Sequence, residues 1–97
     1  MPPEHEIAQS VREFIAENFL FRAGAETIGD SDSLLEGRII DSMGVLELIT
    51  FLEGRFGIRV EDSETMPENL DSIGRITAFV GRKLKAAEQA PEVAHAG

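Results

Sequence analysis

The sequence contains no cysteine, no tryptophan and no tyrosine, and its basic residues are few. Without cysteine the chain cannot form a disulfide scaffold, a thiolate zinc site or a cysteine nucleophile. Nine lysine and arginine residues stand against 18 aspartate and glutamate residues, which gives a net charge of −9. That balance disfavours binding to nucleic acid or to anionic lipid, because both need clustered basic side chains. It favours a basic protein partner.

Long hydrophobic runs are also missing. No segment approaches the ~20 apolar residues that cross a bilayer, and the acidic start of the chain is unlike a signal peptide. We therefore expect a cytoplasmic protein without membrane insertion. With 97 residues, 42% of them hydrophobic, the chain has room for one modest core. We expect one domain over residues 1–85 and a disordered tail over 86–97, where no apolar pattern is present.

The spacing of the apolar residues predicts an all-α fold, because they recur at the three- and four-residue steps of amphipathic helices. The helices predicted in this way span 5–20, 42–56, 67–70 and 73 to about Lys85. Pro67 suits the first turn of the short helix, and Gly57 is expected to end the helix before it. The glycine-, aspartate- and serine-rich segment 21–41 predicts a long connection. The prediction is a small four-helix bundle with three main helices and one short one.

Candidate catalytic residues and metal ligands are scarce. His5 and His95 lie near opposite ends of the chain, which does not suit a base held within reach of a substrate. Asp30 and Asp32 are not followed by further oxygen ligands at the spacing of a calcium loop. There is no glycine-rich phosphate loop and no HExxH. We expect neither an enzyme nor a metal site.

Asp41, Ser42 and Met43 stand at the start of the predicted helix over 42–56. Aspartate and serine are preferred N-caps, so by themselves they predict only a helix start. Together with the segment from Leu34 to Val60, they resemble the acyl carrier protein family, whose members carry Asp-Ser-Leu or Asp-Ser-Met at the start of the second helix. The chain length, the acidity and the later helices fit this resemblance as well.

The resemblance implies a covalent 4′-phosphopantetheine, taken from coenzyme A and joined to Ser42, with Asp41 as part of the cofactor-binding motif. The arm ends in a thiol that would hold an acyl group as a thioester. A helix N-terminus suits the phosphodiester, because free N–H groups and the helix dipole favour an anion there. The missing cysteine is compatible with a thiol supplied from outside.

The resemblance also implies partners. These are a phosphopantetheinyl transferase and acyl-transferring, condensing or ligase enzymes with basic docking patches, which would meet a monomeric carrier. Residues 41–71 hold eight acidic and two basic residues, a net charge of −6. The candidate partner-binding residues are Met43, Leu46, Glu47 and Glu53. An ordinary solvated helix face is the alternative explanation for these residues.

In the family the acyl chain can fold back between the helices. The residues that would line such a space are Val45, Ile49, Leu52, Val60, Leu70 and Ile73. They suit the core of any small bundle equally well, and the two roles are compatible.

The cargo stays open at this point. Carriers of fatty acid synthesis commonly have an acidic residue where this chain has Gly44, and Asp-Ser-Met-Gly is closer to the D-alanyl carrier proteins. We expect an acyl carrier of a specialised lipid or secondary-metabolite pathway. The alternatives are a D-alanyl or aminoacyl carrier, and an unmodified helical interaction module in which Ser42 only caps a helix.

Overall fold

The computed structural model describes residues 3–20 and 29–89. Within these ranges the chain forms four α-helices: α1 (Glu4–Ile15), α2 (Ser42–Phe56), α3 (Pro67–Leu70) and α4 (Ile73–Gln89). A π-helical turn continues α1, and a 3-10 turn precedes α3; they span Ala16–Leu20 and Asp62–Glu64. The predicted all-α bundle of three main helices and one short helix is confirmed.

The core is built mainly from the facing sides of α1 and α4. Ile7, Val11 and Ile15 recur every four residues on α1 and are buried, since residues at this spacing share one face of a helix. The remaining buried apolar residues are Phe19, Leu34, Ile40, Leu48, Leu52, Ile58, Leu70, Ile73, Ile76, Phe79 and Val80. The core thus takes residues from every helix and from the connections.

Helix α2 has the predicted ends. The Asp41 carboxylate accepts a hydrogen bond of 2.8 Å from the Gly44 N–H, which is the contact of an N-cap. At the other end Gly57 adopts the left-handed conformation with φ 67°, and its N–H donates to the Glu53 carbonyl. Glycine takes this conformation without strain, so the chain can leave the helix there.

Helix α4 extends four residues beyond its predicted end at Lys85. Ala86 and Ala87 are strong helix formers and continue it without adding to the core. Residues 86–89 of the predicted tail are therefore helical, and 90–97 lie outside the described residues. The domain boundary at 85 stays a prediction.

Asp71 holds the connection before α2 in place through three hydrogen bonds. Its carboxylate accepts hydrogen bonds from the Ser33 hydroxyl at 2.6 Å and from the Leu35 N–H at 2.9 Å, and its carbonyl accepts one from the Leu34 N–H at 2.6 Å. Leu34 and Ile40 of this connection are buried. Residues 29–41 thus pack on the bundle and fix the start of α2, whereas 21–28 of the predicted connection lie outside the described residues.

Candidate functional site

The dipeptide Asp-Ser occurs five times in the chain, and the fold separates the five serines. Their positions are Ser31, Ser33, Ser42, Ser63 and Ser72. Ser72 is only 5% exposed, and its hydroxyl accepts from the Arg75 N–H at the start of α4. The Ser33 hydroxyl is bound to Asp71. Ser31 and Ser63 are exposed, but one lies in a turn and the other in a three-residue 3-10 turn. Ser42 alone is both exposed and the first residue of a long helix.

Asp41 is the N-cap of α2, whereas the sequence allowed either Asp41 or Ser42 to be the cap. Its side chain accepts from the Gly44 N–H, and its carbonyl accepts from the Val45 N–H at 2.9 Å. The other two N–H groups of this first turn belong to Ser42 and Met43. They adjoin the position that a phosphodiester on Ser42 would take, and such groups stabilise an anion. The geometry therefore fits a 4′-phosphopantetheine on Ser42.

An apolar groove of about 290 Å³ opens beside Ser42. Val45 and Leu46 of α2 form one wall, and the segment that leads into α3 forms the other. The full lining is Leu35, Ser42, Val45, Leu46, Thr65, Met66, Pro67 and Leu70. An extended apolar or amphipathic group attached to Ser42 has a surface to lie against here.

A second, more polar cleft of about 230 Å³ lies where the connection before α2 meets the helix. Arg38 lines it together with Asp41 and Glu47, and Arg38 has φ 57°, in the left-handed region. Both clefts meet at the first turn of α2, so Ser42 lies between an apolar and a charged surface.

Gly44 is buried where this connection crosses α2. A Cβ atom at this position would lie 2.6 Å from Ile40 Cγ1 and 3.0 Å from Phe19 Cε1. A side chain at position 44 would therefore collide with two core residues, which explains the glycine. The sequence showed the glycine but not this reason for it.

Three of the four candidate partner-binding residues are exposed on α2. Met43 is 70% exposed and Leu46 is 59% exposed, and Glu47 is exposed as well. Glu53 differs because it is half-buried and its carboxylate accepts a hydrogen bond of 2.9 Å from the Val60 N–H. Glu53 thus stabilises the segment after α2, and the docking role of all four residues stays a prediction.

The six candidate acyl-pocket residues are divided by the fold. Leu52, Leu70 and Ile73 are core residues, whereas Val45, Ile49 and Val60 are half-buried. The groove beside Ser42 is lined by Val45 and Leu70 from this set. Of its other apolar residues, Leu46 was a candidate for partner binding, whereas Leu35, Met66 and Pro67 were missed. Helical periodicity does not place residues that lie in connections or at the first residue of a one-turn helix.

Two further findings concern the residues that the structure describes. They contain no group of three or more His, Cys, Asp or Glu side chains placed to hold a metal ion. None of their helices is long and apolar enough to cross a membrane.

A small four-helix bundle with an exposed serine at the first turn of its second helix has the architecture of a prosthetic-group carrier. No family model matches the chain. The chain is 38% identical over 75 residues to the D-alanyl carrier protein of Streptococcus sanguinis (strain SK36), an alignment that covers 77% of this chain and 91% of that protein. The chain belongs to the acyl carrier protein family, the carriers of the phosphopantetheine-binding type. Its role is that of a carrier protein.

Proposed function

We propose that the protein carries a small aminoacyl or acyl group as a thioester on a 4′-phosphopantetheine arm joined to the Ser42 hydroxyl. The exposure of Ser42 in the first turn of α2, with Asp41 alone as the cap, is the observation that carries this proposal. The arm supplies the thiol that the chain lacks. The chain itself presents the hydroxyl and stabilises the phosphodiester with the N-terminus of α2.

A D-alanyl or similar aminoacyl group is the cargo that we favour. The similarity to a D-alanyl carrier protein and the Asp-Ser-Met-Gly segment both support it. Packing supports it too, because Leu52 and Ile73, two of the residues that would line an internal acyl space, are fully buried core residues. A long chain would have to displace core side chains, at a cost that close-packed interiors impose, whereas a small group needs no internal space.

An acyl carrier of a specialised lipid or secondary-metabolite pathway is the second candidate. The apolar groove beside Ser42 favours it, because an acyl chain could lie along Val45, Met66 and Pro67 without entering the core. Burial of each methylene in such a groove is worth up to ~0.8 kcal/mol.

The partners follow from the surface around Ser42. Met43 and Leu46 present an apolar contact, and Glu47 adds a negative charge beside it. We propose that a phosphopantetheinyl transferase and carrier-charging ligases dock here through basic and apolar residues. Steered contacts of this kind raise the rate of encounter.

Transfer of the arm tests the attachment site. Incubation of the apo protein with coenzyme A, Mg²⁺ and a broad phosphopantetheinyl transferase should add the mass of one arm to the intact protein. Ser42→Ala should abolish the gain. Ser63→Ala should leave it unchanged, since Ser63 is another exposed serine after an aspartate but lies in a 3-10 turn.

Absence of a mass gain with several transferases, or a gain that survives Ser42→Ala, would contradict the proposal. The first result would favour the unmodified interaction module. A panel of charging ligases, each supplied with its own amino or fatty acid, then separates the two cargoes. Loading of the holo protein by an acyl ligase but not by an aminoacyl ligase would overturn the preference for a D-alanyl-type group.

A further inference from the structure

We infer that Lys83 and Arg82 of α4 are positioning residues for the groove beside Ser42, because they hold the wall that contains Met66 against α4. Four residues form this contact, which we name the clasp: Glu64, Asn69, Arg82 and Lys83. The inference rests on the proposed function in one respect, namely that an arm on Ser42 uses the groove.

The clasp is a closed set of hydrogen bonds between α4 and the segment around α3. The Lys83 ammonium donates to Glu64 Oε1 at 2.8 Å, and the Arg82 guanidinium donates to Asn69 Oδ1 at 3.0 Å. The Asn69 side-chain amide in turn donates to the Glu64 carbonyl at 2.9 Å. Two cations of α4 therefore bind two residues that are also bonded to each other.

The clasp reaches the groove through the backbone of Met66. The Glu64 carbonyl, which already accepts from Asn69, also accepts from the Met66 N–H at 2.9 Å. Met66, together with Thr65 and Pro67, forms the wall opposite α2. Glu64, whose carboxylate is bound by Lys83 of α4, thus orients Met66, which lines the groove.

The ion pair in the clasp is better protected than a typical surface pair. The Glu64 and Lys83 side chains are 29% and 24% exposed, so water and salt screen them less than a fully exposed pair. The wall has little apolar anchoring of its own, because Thr65, Met66 and Pro67 are exposed and Leu70 is the one buried residue of α3. Polar contacts to α4 are therefore well placed to decide its position.

The position of the wall can be tested in the apo protein. The chain has three methionines, of which Met66 lies in the wall and Met43 lies on α2. In a ¹³C-methyl-methionine sample, Lys83→Leu should shift and broaden the Met66 methyl signal and leave that of Met43 in place. Lys85→Leu is the matched control, since Lys85 is an exposed lysine of α4 outside the clasp. Lys83→Arg should restore the signal because it keeps the charge and the donor.

The use of the groove is tested in the loaded protein. A pantetheine analogue with a solvatochromic fluorophore at its end is transferred to Ser42, and its emission is compared between variants. Lys83→Leu should move the emission to the red, toward that of the free probe in buffer. Lys85→Leu should leave it at the wild-type wavelength, and Glu64→Gln, a milder change, should move it in the same direction as Lys83→Leu.

The possible outcomes separate the two proposals. Failure of the wild type to accept the analogue would overturn the proposed function, and the Met66 signal would still decide whether the clasp positions the wall. A Lys83→Leu protein that unfolds at a lower temperature but keeps the wild-type Met66 signal and emission would overturn the inference, since the clasp would then only stabilise the fold. If Lys83→Leu does not fold, an unchanged signal and emission in Arg82→Leu would overturn the inference in the same way, since that change removes the donor to Asn69 Oδ1.

Discussion

At the scale of single residues, Asp41 and Ser42 divide two tasks that either of them could perform. Both side chains can cap a helix, but the Asp41 carboxylate is the one that accepts from the Gly44 N–H. Ser42 therefore stands inside the helix, with its hydroxyl outside the cap. This division explains how a residue at a helix start can remain available to a modifying enzyme while the helix stays capped.

Gly44 gives the sharpest prediction for a single residue. Gly44→Ala should lower the free energy of unfolding by about 1–3 kcal/mol, the usual cost of overpacking. The added Cβ atom would lie 2.6 Å from Ile40 Cγ1, so Ile40 or the helix must shift. Urea denaturation, followed by circular dichroism, measures the change.

The control for Gly44→Ala lies in the same helix. A Cβ atom at Gly54 meets no atom within 4 Å, so Gly54→Ala should raise the stability by about 0.5–1 kcal/mol through helix propensity. If both substitutions stabilise the protein by the same amount, the close contact at Gly44 has no energetic weight. Packing would then not require glycine at position 44.

The sequence predicted the helix start at Asp41 and Ser42 but could not explain Gly44, and the difference has a physical cause. The helix start depends on neighbours in the chain, because caps are local features. The need for glycine at position 44 depends on Phe19 and Ile40, which reach Gly44 only after α1 and the connection have packed. A local pattern can show that a glycine is present but not which distant side chain requires it.

At the scale of elements, the helices depend on residues that are neighbours in the chain, whereas the segments between them depend on contacts with distant residues. The bounds of α2 and α3 follow from caps, periodicity and one proline. The groove wall at Thr65 and Met66 does not, because its place depends on contacts with α4. The end of α4 was also misplaced, since the propensity of Ala86 and Ala87 extends a helix beyond its last core residue.

Glu64 gives a pH-dependent prediction for this element. The hydrogen bond from Lys83, then that from the Glu61 backbone, and the positive charges of Lys83 and Arg82 lower the pKa of Glu64 below its usual value of 4.5, against a smaller effect of burial. The folded state therefore prefers ionised Glu64. This contribution to stability is present above the pKa of the unfolded chain and is lost as the pH falls through the lower pKa of the folded protein.

Glu64→Gln should thus destabilise the protein more at pH 7 than at pH 3. Urea denaturation at both pH values measures this, with wild type and variant side by side. In a Lys83→Leu background the pH-dependent part of the difference should shrink, because the largest cause of the lowered pKa is gone. An equal effect of Glu64→Gln at both pH values would show that the ionised carboxylate is not the favoured form.

At the scale of the whole molecule, acidic residues either form hydrogen bonds within the fold or are available for docking, and the sequence could not separate these two roles. The excess of negative charge lies in residues 41–71, but much of it is bound within the fold. The acidic residues with internal hydrogen bonds there include Asp41, Glu53, Glu61, Glu64 and Asp71. The total charge therefore overstates the surface that is available for docking. Of the two acidic residues on α2, Glu47 is the exposed one and lies near Ser42, whereas Glu53 is half-buried.

The last prediction separates docking from folding with two charge reversals on α2. Glu47→Lys should lower kcat/KM of the phosphopantetheinyl transferase by about fivefold, equivalent to roughly 1 kcal/mol, because it reverses an exposed charge that would face basic residues of the transferase in the proposed docking. Glu53→Lys should instead lower the free energy of unfolding by about 1–3 kcal/mol, since the Val60 N–H loses its acceptor. Transferase kinetics and urea denaturation are measured on both variants.

Two controls complete this test: a series of ionic strengths, and a charge reversal at Glu4, a position on a different helix. The effect of Glu47→Lys on kcat/KM should diminish as ionic strength rises, because screening weakens exposed charge pairs. Glu4→Lys makes the same change of net charge in a different cleft, which includes Gly81 and Arg82 of α4, and should leave kcat/KM near that of wild type. If Glu4→Lys slows transfer as much as Glu47→Lys does, net charge alone drives the encounter. The face of α2 beside Ser42 would then have no special part in docking.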